Sequence, residues 1–218
     1  KMLATGDERF KEKMDLDIQV SKLKVLKQSY LSEHYDLEDR ILKHFPQTIA
    51  EYEQRIVCYE ADTALAEQHK PQGEEKFCPM TLRGISYTEK AAAGEMLLAI
   101  CKEYPLSAPI EIGSYRGFKM EIFYDTVGTH YCLNLCGQAK YKVELGSDPL
   151  GNLTRIENEL AKLPARLEAA QIKLAETIAQ LETAKVEVQK PFTFEEELKE
   201  KSKRLNALNI ELNLDKKD

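Results

Sequence analysis

Tryptophan is absent from this sequence of 218 residues, glycine and proline are scarce, and positive charge is not in excess. The 37 Asp and Glu residues outnumber the 31 Lys and Arg residues, which gives a formal net charge of −6. A domain built mainly to grip the DNA backbone is usually basic, because neutralising phosphates supplies most of its affinity. The composition therefore argues against a dedicated electrostatic DNA binder, although it is compatible with a local basic patch.

Long apolar segments and ordered metal-ligand spacing are also missing. No run approaches the about 20 apolar residues that a membrane-spanning helix needs, and the first residues lack a signal-peptide core. The cysteines are Cys58, Cys78, Cys101, Cys132 and Cys136, and the histidines are His34, His44, His69 and His130. Because the cysteines are odd in number without CxxC spacing and the histidines are scattered, we expect free thiols, a reducing cytoplasm, and no metal or cofactor.

Charged residues (31%) mixed with hydrophobic residues (43%) suit long amphipathic helices. In the first segment, the residues of one helix face recur alternately three and four positions apart, as in a heptad seam with polar interruptions. That seam comprises Leu16, Val20, Leu23, Lys27, Tyr30, His34, Leu37 and Ile41. Pro46 lacks a backbone donor and disfavours helix before it, so we expect a break or kink there. The helical pattern then resumes and ends near Lys70.

Residues 73–150 change to the pattern of a β-sheet. Residues 80–87 indicate an extended segment, and residues 88–104 indicate a helix with one apolar side. Apolar and polar side chains then alternate in residues 115–122, 130–135 and 140–145. Strict alternation predicts an antiparallel sheet with one covered face, and the preceding helix is its expected cover.

Heptad spacing returns in residues 151–218. Pro164 predicts a kink or a division into two helices, and Lys190-Pro191-Phe192 predicts a further break. A single apolar seam is not stable alone in water, so we expect the first and third segments to pack against each other. The alternative is a parallel homodimer, in which each seam meets its own copy.

These patterns predict an α+β fold in which long antiparallel coiled-coil helices carry an inserted small antiparallel sheet plus one helix. Three domains follow from them. Residues 1–72 form N-terminal heptad helices with a kink near Pro46, residues 73–150 form a small α+β head, and residues 151–218 form the returning heptad helices.

Several stretches together resemble the C-terminal region of very large DNA methylase and Snf-type helicase proteins from conjugative elements of Firmicutes. They are GDERFKEKMDLD (6–17), LKVLKQSY (23–30), YEQRI (52–56), YTEK (87–90), GSYRGF (113–118), GNLTRIEN (151–158), VQKPF (188–192) and LNIELNLD (208–215). The resemblance covers nearly the whole chain, and the opening residues look like the interior of a longer reading frame. We therefore expect a piece of a larger protein.

The resemblance implies a cytoplasmic setting in DNA transfer or maintenance of a mobile element. It implies that the parent is an ATP-dependent helicase with adenine-specific DNA methylase, whose catalytic motifs lie upstream. This chain contains no GxxxxGK[ST] loop, no Asp-Glu-x-His box and no Asn-Pro-Pro-Tyr motif, so no catalytic residue carries over. The acidic residues lie on predicted helix exteriors, and no Ser or Cys has an identifiable base. We therefore expect this chain itself not to be an enzyme.

One stretch suggests contact with a partner or nucleic acid. Aromatic and basic side chains on one sheet face can stack on bases and neutralise phosphates. The candidate contacts are Tyr115, Arg116, Phe118, Lys119, Lys140 and Lys142. A hairpin turn with a solvated face explains the same residues without binding.

Two functions are therefore expected. The first is a non-catalytic interaction module that presents the sheet on a coiled-coil stalk, with the upstream helicase and methylase domains as partners. The alternative is a DNA-binding accessory domain that uses the aromatic and basic sheet face.

Overall fold

The computed structural model describes residues 8–71, 77–104 and 107–214. Contacts divide the chain into two compact units: Lys1–Gln47 with Ile178–Asp218, and Thr48–Thr177. These boundaries differ from the predicted ones at residues 72 and 150. The difference arises because helical segments on both sides of the predicted head pack onto its sheet.

The chain is a mixed α+β protein with a six-stranded antiparallel sheet. Its helical segments are α1 (Glu8–Asp39), a π-helical turn (Arg40–His44), α2 (Phe45–Gln68), α3 (Lys90–Glu103), α4 (Pro149–Ala161), α5 (Leu163–Glu187) and α6 (Glu195–Leu214). Its strands are β1 (Met80–Leu82), β2 (Ile85–Tyr87), β3 (Ile110–Tyr115), β4 (Phe118–Asp125), β5 (His130–Cys136) and β6 (Lys140–Leu145). Among the described residues, no helix has an apolar stretch of the length that crossing a bilayer requires.

In the first unit, α1 packs antiparallel against α6. A small apolar cluster contains Val20 and Leu23 from α1 and Leu198 and Leu205 from α6. Polar contacts flank it: Arg204 donates two hydrogen bonds to the Glu12 carboxylate (2.7 and 2.8 Å), and Lys27 pairs with Glu195 at 2.8 Å. The predicted packing of the first segment on the third, within one molecule, is thus confirmed for these two helices.

Prolines affect the two helical segments differently. At Pro46 the helix does not break, because a π-helical turn precedes it and the N–H of Phe45 donates to the carbonyl of Arg40, five residues back. A wider turn of this kind relieves the clash of a proline ring with the carbonyl four residues earlier. The helix therefore changes type locally in place of the expected break, and the alternative expectation of a kink stays a prediction. Pro164 behaves as predicted, since α4 ends and α5 begins beside it.

The strands pair in the order β2-β1-β3-β4-β5-β6, with every neighbouring pair antiparallel. Two predicted segments are each divided by a two-residue turn. Residues 80–87 form the β1–β2 hairpin, and residues 115–122 are split at Arg116 and Gly117. Both turn residues have positive φ (49° and 82°), as a type I′ hairpin requires. Four strands therefore follow α3, where the alternation predicted three.

One face of the sheet is buried beneath α3, α4 and the ends of α2 and α5. The predicted cover by residues 88–104 is confirmed, since Leu97 and Ile100 of α3 are fully buried. Helix α4 also belongs to this layer, through Leu153 and Ile156. Asn152 holds it there, accepting from the Gly146 N–H (2.7 Å) and donating to the Gly146 carbonyl (2.9 Å).

Candidate functional site

The opposite face of the sheet, here called the open face, carries polar and charged side chains. Its exposed charged residues, among those the structure describes, are Glu111, Lys119, Lys140, Lys142 and Glu144. Each lysine has an acidic neighbour on another strand: Lys119–Glu111 at 3.6 Å, Lys140–Glu121 at 2.9 Å and Lys142–Asp125 at 3.0 Å. With Glu144 included, carboxylates outnumber lysines here, so the open face is not a basic patch.

The aromatic candidates do not share that face with the lysines. Tyr115 and Phe118 are 1% and 0% exposed and belong to the core beneath α3 and α4. Their rings pack on other buried or half-buried aromatic rings, Tyr115 on Phe77 and Phe118 on Tyr141. The expectation of a combined aromatic and basic face is therefore wrong. Alternation along β4 places Phe118 inward and Lys119 outward.

Arg116 is directed into the protein, where it joins two helices to the β3–β4 turn. Its guanidinium donates to the carbonyls of Ala66 (2.6 Å) and His69 (3.1 Å), at the end of α2. Carbonyls at a helix end lack partners within the helix. It also pairs with Glu157 of α4 at 2.9 Å, and its side chain is only 7% exposed. Arg116 thus has a structural role and is not displayed for binding.

Asp62 of α2 is a buried carboxylate that the heptad analysis did not single out. It accepts hydrogen bonds from the backbone N–H groups of Gln138 (2.7 Å) and Ala139 (2.9 Å) and from the hydroxyl of Tyr141 (2.6 Å). Burial, and then the hydrogen bond to Asp62, raise the pKa of Tyr141 well above its usual value. This carboxylate therefore anchors α2 to the β5–β6 turn.

Three potential metal ligands of different chemistry meet on the open face: Asp125, His130 and Cys132. Their donor atoms all lie within 4.8 Å of one another. Asp125 on β4 is directly opposite His130 on β5, and Cys132 follows two positions later on the same face. We call these residues the Asp-His-Cys cluster.

The surroundings of Asp125 and Cys132 shift the pKa values of these two groups in opposite directions. One Asp125 oxygen accepts from the N–H groups of Val127 and Gly128, both at 3.1 Å, and the other faces Lys142. The Gly128 N–H, followed by Lys142, lowers the pKa of Asp125 to about 2. Cys132 is fully buried, and that burial raises the pKa of its thiol.

The scattered histidines and the lack of CxxC spacing gave no indication of this cluster. On a strand, the same-face neighbour is two residues away, and His130-x-Cys132 has that spacing. Asp125 joins them only through the β4–β5 register, which depends on the turn at residues 126–129. The sequence contained the His130-x-Cys132 spacing, but its pairing with Asp125 became visible only in the folded β4–β5 hairpin.

Comparison of the chain with protein-family models, with curated proteins and with solved structures finds no match. Function is therefore inferred from the geometry of the described residues and from the resemblance noted in the sequence.

Proposed function

We propose that this chain is a non-catalytic interaction module at the C-terminal end of a large helicase and DNA methylase of a mobile element. In this proposal, the open face of the sheet docks on the upstream domains of that protein in the cytoplasm. The observation that carries the proposal is the display of ion-paired charges on the open face, while α2, α3, α4 and α5 all contribute to the core on the other side.

The open face has the character of a specific protein contact. Its charges are of both signs and are ordered by cross-strand ion pairs, so its side chains are partly organised before binding. Preorganised side chains lose less entropy on association. Charges of alternating sign favour partner selection, because a mismatched partner meets like charges. These properties favour a defined protein surface over a uniform polyanion.

The first unit, in which α1 packs against α6, supports a second part of the proposal, namely that the sheet module is carried on a coiled-coil arm. The α1 seam predicted from spacing supplies Val20 and Leu23 to the contact with α6, and Leu16 packs against the same cluster. We propose that this pairing is a coiled-coil arm that connects the sheet module to the rest of the parent protein.

DNA binding is the weaker alternative on this geometry. The three open-face lysines are each paired with a carboxylate, and a phosphate would have to displace that partner. Tyr115 and Phe118 are buried, so they offer no ring for base stacking. Weak binding or none is expected for both single- and double-stranded DNA.

Lysine acetylation followed by mass spectrometry tests the docking proposal. The isolated chain is compared with the same residues in the full-length parent protein. Lys119, Lys140 and Lys142 should lose reactivity in the parent. Lys173 and Lys185 of α5 should not, and they are matched controls because each is also paired with a glutamate at 2.7 Å. Equal labelling of the open-face lysines in both proteins would refute the docking.

A DNA titration separates the two functions. Fluorescence anisotropy with labelled single- and double-stranded DNA is measured at two salt concentrations. Binding that weakens with added salt, and weakens again in the Lys119→Ala, Lys140→Ala and Lys142→Ala chain, would establish the alternative. The interaction-module proposal expects no such response.

A further inference from the structure

We propose that the Asp-His-Cys cluster binds one divalent transition-metal ion of the zinc type. The proposal does not rest on the docking proposed above, although both involve the Lys142–Asp125 pair of the open face. Carboxylate oxygen, imidazole nitrogen and thiolate sulfur are the three ligand types that proteins use for Zn²⁺. The cluster brings one of each to a single point on the open face, from two hydrogen-bonded strands.

The spacing of the donor atoms suits such an ion. Bonds of about 2.0–2.3 Å to a tetrahedral zinc place neighbouring donors about 3.3–3.8 Å apart. The three donors already lie within 4.8 Å of one another, so no pair has to approach by more than about 1.5 Å to reach that separation. Glu144 offers a fourth ligand, since its carboxylate oxygen lies 3.7 Å from Nε2 of His130.

The orientation of His130 is the strongest support. Its Nδ1 lies 2.8 Å from the carbonyl oxygen of Gly128, an atom that can only accept, so Nδ1 carries the proton in that bond. In the neutral ring, Nε2 then holds the lone pair that a metal ion would take, and the Glu144 carboxylate is 3.7 Å from it. Nε2 is buried and, within the described part of the chain, has no hydrogen-bond partner. Histidine ligands are commonly held through the other ring nitrogen in this manner.

Gly128 provides the room that this orientation needs. A Cβ at that position would lie 2.3 Å from Cε1 and 2.7 Å from Nδ1 of His130, so any side chain there would push the imidazole away. Gly128 also donates to Asp125, so one turn residue positions two of the three ligands.

The Lys142 ammonium occupies a position next to Asp125 that the metal ion would take. Its ammonium lies 3.0 Å from the Asp125 carboxylate and 5.7 Å from the centre of the Phe123 ring. Metal binding requires this ammonium to swing away from Asp125, and the Cys132 thiol to release its proton to solvent as the metal–sulfur bond forms. A divalent ion with the Asp125 carboxylate and the Cys132 thiolate is then neutral, and with Glu144 as fourth ligand the site carries a charge of −1. Lys142 and the metal therefore compete for one carboxylate oxygen.

Cobalt titration of the metal-stripped, reduced 218-residue chain tests the site. Co²⁺ should bind at one equivalent and give thiolate-to-cobalt charge-transfer absorption, which Zn²⁺ should then remove by displacement. Cys132→Ser should abolish that absorption and weaken Co²⁺ binding at least tenfold. Cys136→Ser is the matched control, because Cys136 lies on the same strand and face outside the cluster, and it should change neither property.

Two further variants keep all three ligands and test the geometry. Gly128→Ala should weaken binding by about tenfold or more, the range found when the support of a metal ligand is lost. Lys142→Gln should tighten binding several-fold by removing the competing ammonium. The proposal is overturned if the intact chain shows no charge-transfer absorption, or if Cys132→Ser and Cys136→Ser behave alike. Lys142→Gln binding no more tightly would overturn the competition.

Discussion

Replacing Asp62 by alanine is expected to destabilise the sheet unit strongly. The carboxylate is 1% exposed and accepts from two backbone N–H groups and one tyrosine hydroxyl, at distances of 2.6–2.9 Å. Its removal leaves all three donors without that acceptor, the Tyr141 hydroxyl at a buried position and the two N–H groups at part-buried ones. A second variant, Asp62→Asn, keeps the size of the side chain and one accepting oxygen, but turns an amide N–H₂ towards groups that are themselves donors.

The expected loss follows from those three donors. Each buried donor left without a partner costs about 1–3 kcal/mol. Removing the carboxylate also removes the cost of holding a charge away from water, which offsets part of the loss. We expect a decrease in the free energy of unfolding of about 3–5 kcal/mol for Asp62→Ala, because three hydrogen bonds to a charged group, about 1.5–3 kcal/mol each, are lost and part of that loss is offset. For Asp62→Asn we expect about 1–3 kcal/mol.

Hydrogen exchange measures this loss within the sheet unit, whereas a single melting curve would mix the two units. Amides of the central strands, such as that of Leu133, should exchange about 100- to 4,000-fold faster in Asp62→Ala if they exchange through unfolding. Glu60→Ala is the matched control, because Glu60 is an exposed acidic residue two positions away on the same helix. Equal exchange rates in the two variants would refute the anchoring role of Asp62.

Three other predictions concern single side chains. Arg116→Lys should lower the free energy of unfolding of the sheet unit by about 2–4 kcal/mol, measured by the same exchange experiment, because an ammonium cannot reach three acceptors in a fork. Asp125→Asn should lower the stability of the sheet unit, measured by the same exchange experiment, at neutral pH but not near pH 2. A carboxyl group whose pKa is lowered by folding stabilises the folded state at any pH above its pKa in the unfolded chain. For Asp125 that stabilisation is lost as the pH falls through about 2, its pKa in the folded chain. In the folded chain at pH 8, iodoacetamide should label half-buried Cys58 well before Cys101, since burial raises the pKa of the Cys101 thiol to about 11; equal rates would contradict this.

The fold was predictable where burial follows a local period. Alternation in residues 130–135 and 140–145 corresponds to β5 and β6 with the expected covered face. The prediction of a single strand over residues 115–122 was wrong, because Tyr115 and Phe118 both point inward from different strands, on either side of a two-residue turn. The spacing of three between Tyr115 and Phe118 breaks the period of two, and the two-residue turn of Arg116 and Gly117 lies at that break.

The candidate site was predictable only in part. The outward direction of Lys140 and Lys142 follows from the period of a strand, and the structure confirms it. The same period, applied to β4, would have separated Phe118 from Lys119. The opposition of Asp125 and His130 could not be obtained in that way, because it depends on the length and geometry of the connecting turn.

Sequence alone determined which residues form helices, which stretches alternate, and that the chain carries no excess of positive charge. Each of these is a property of neighbouring residues, since helix and strand periods act over a few positions. Only the tertiary structure decided that Asp62 and Arg116 are buried anchors, that α4 belongs to the sheet layer, and that Asp125, His130 and Cys132 converge. Local periodicity determines the side on which a side chain lies. What faces it there depends on parts of the chain that are distant in sequence.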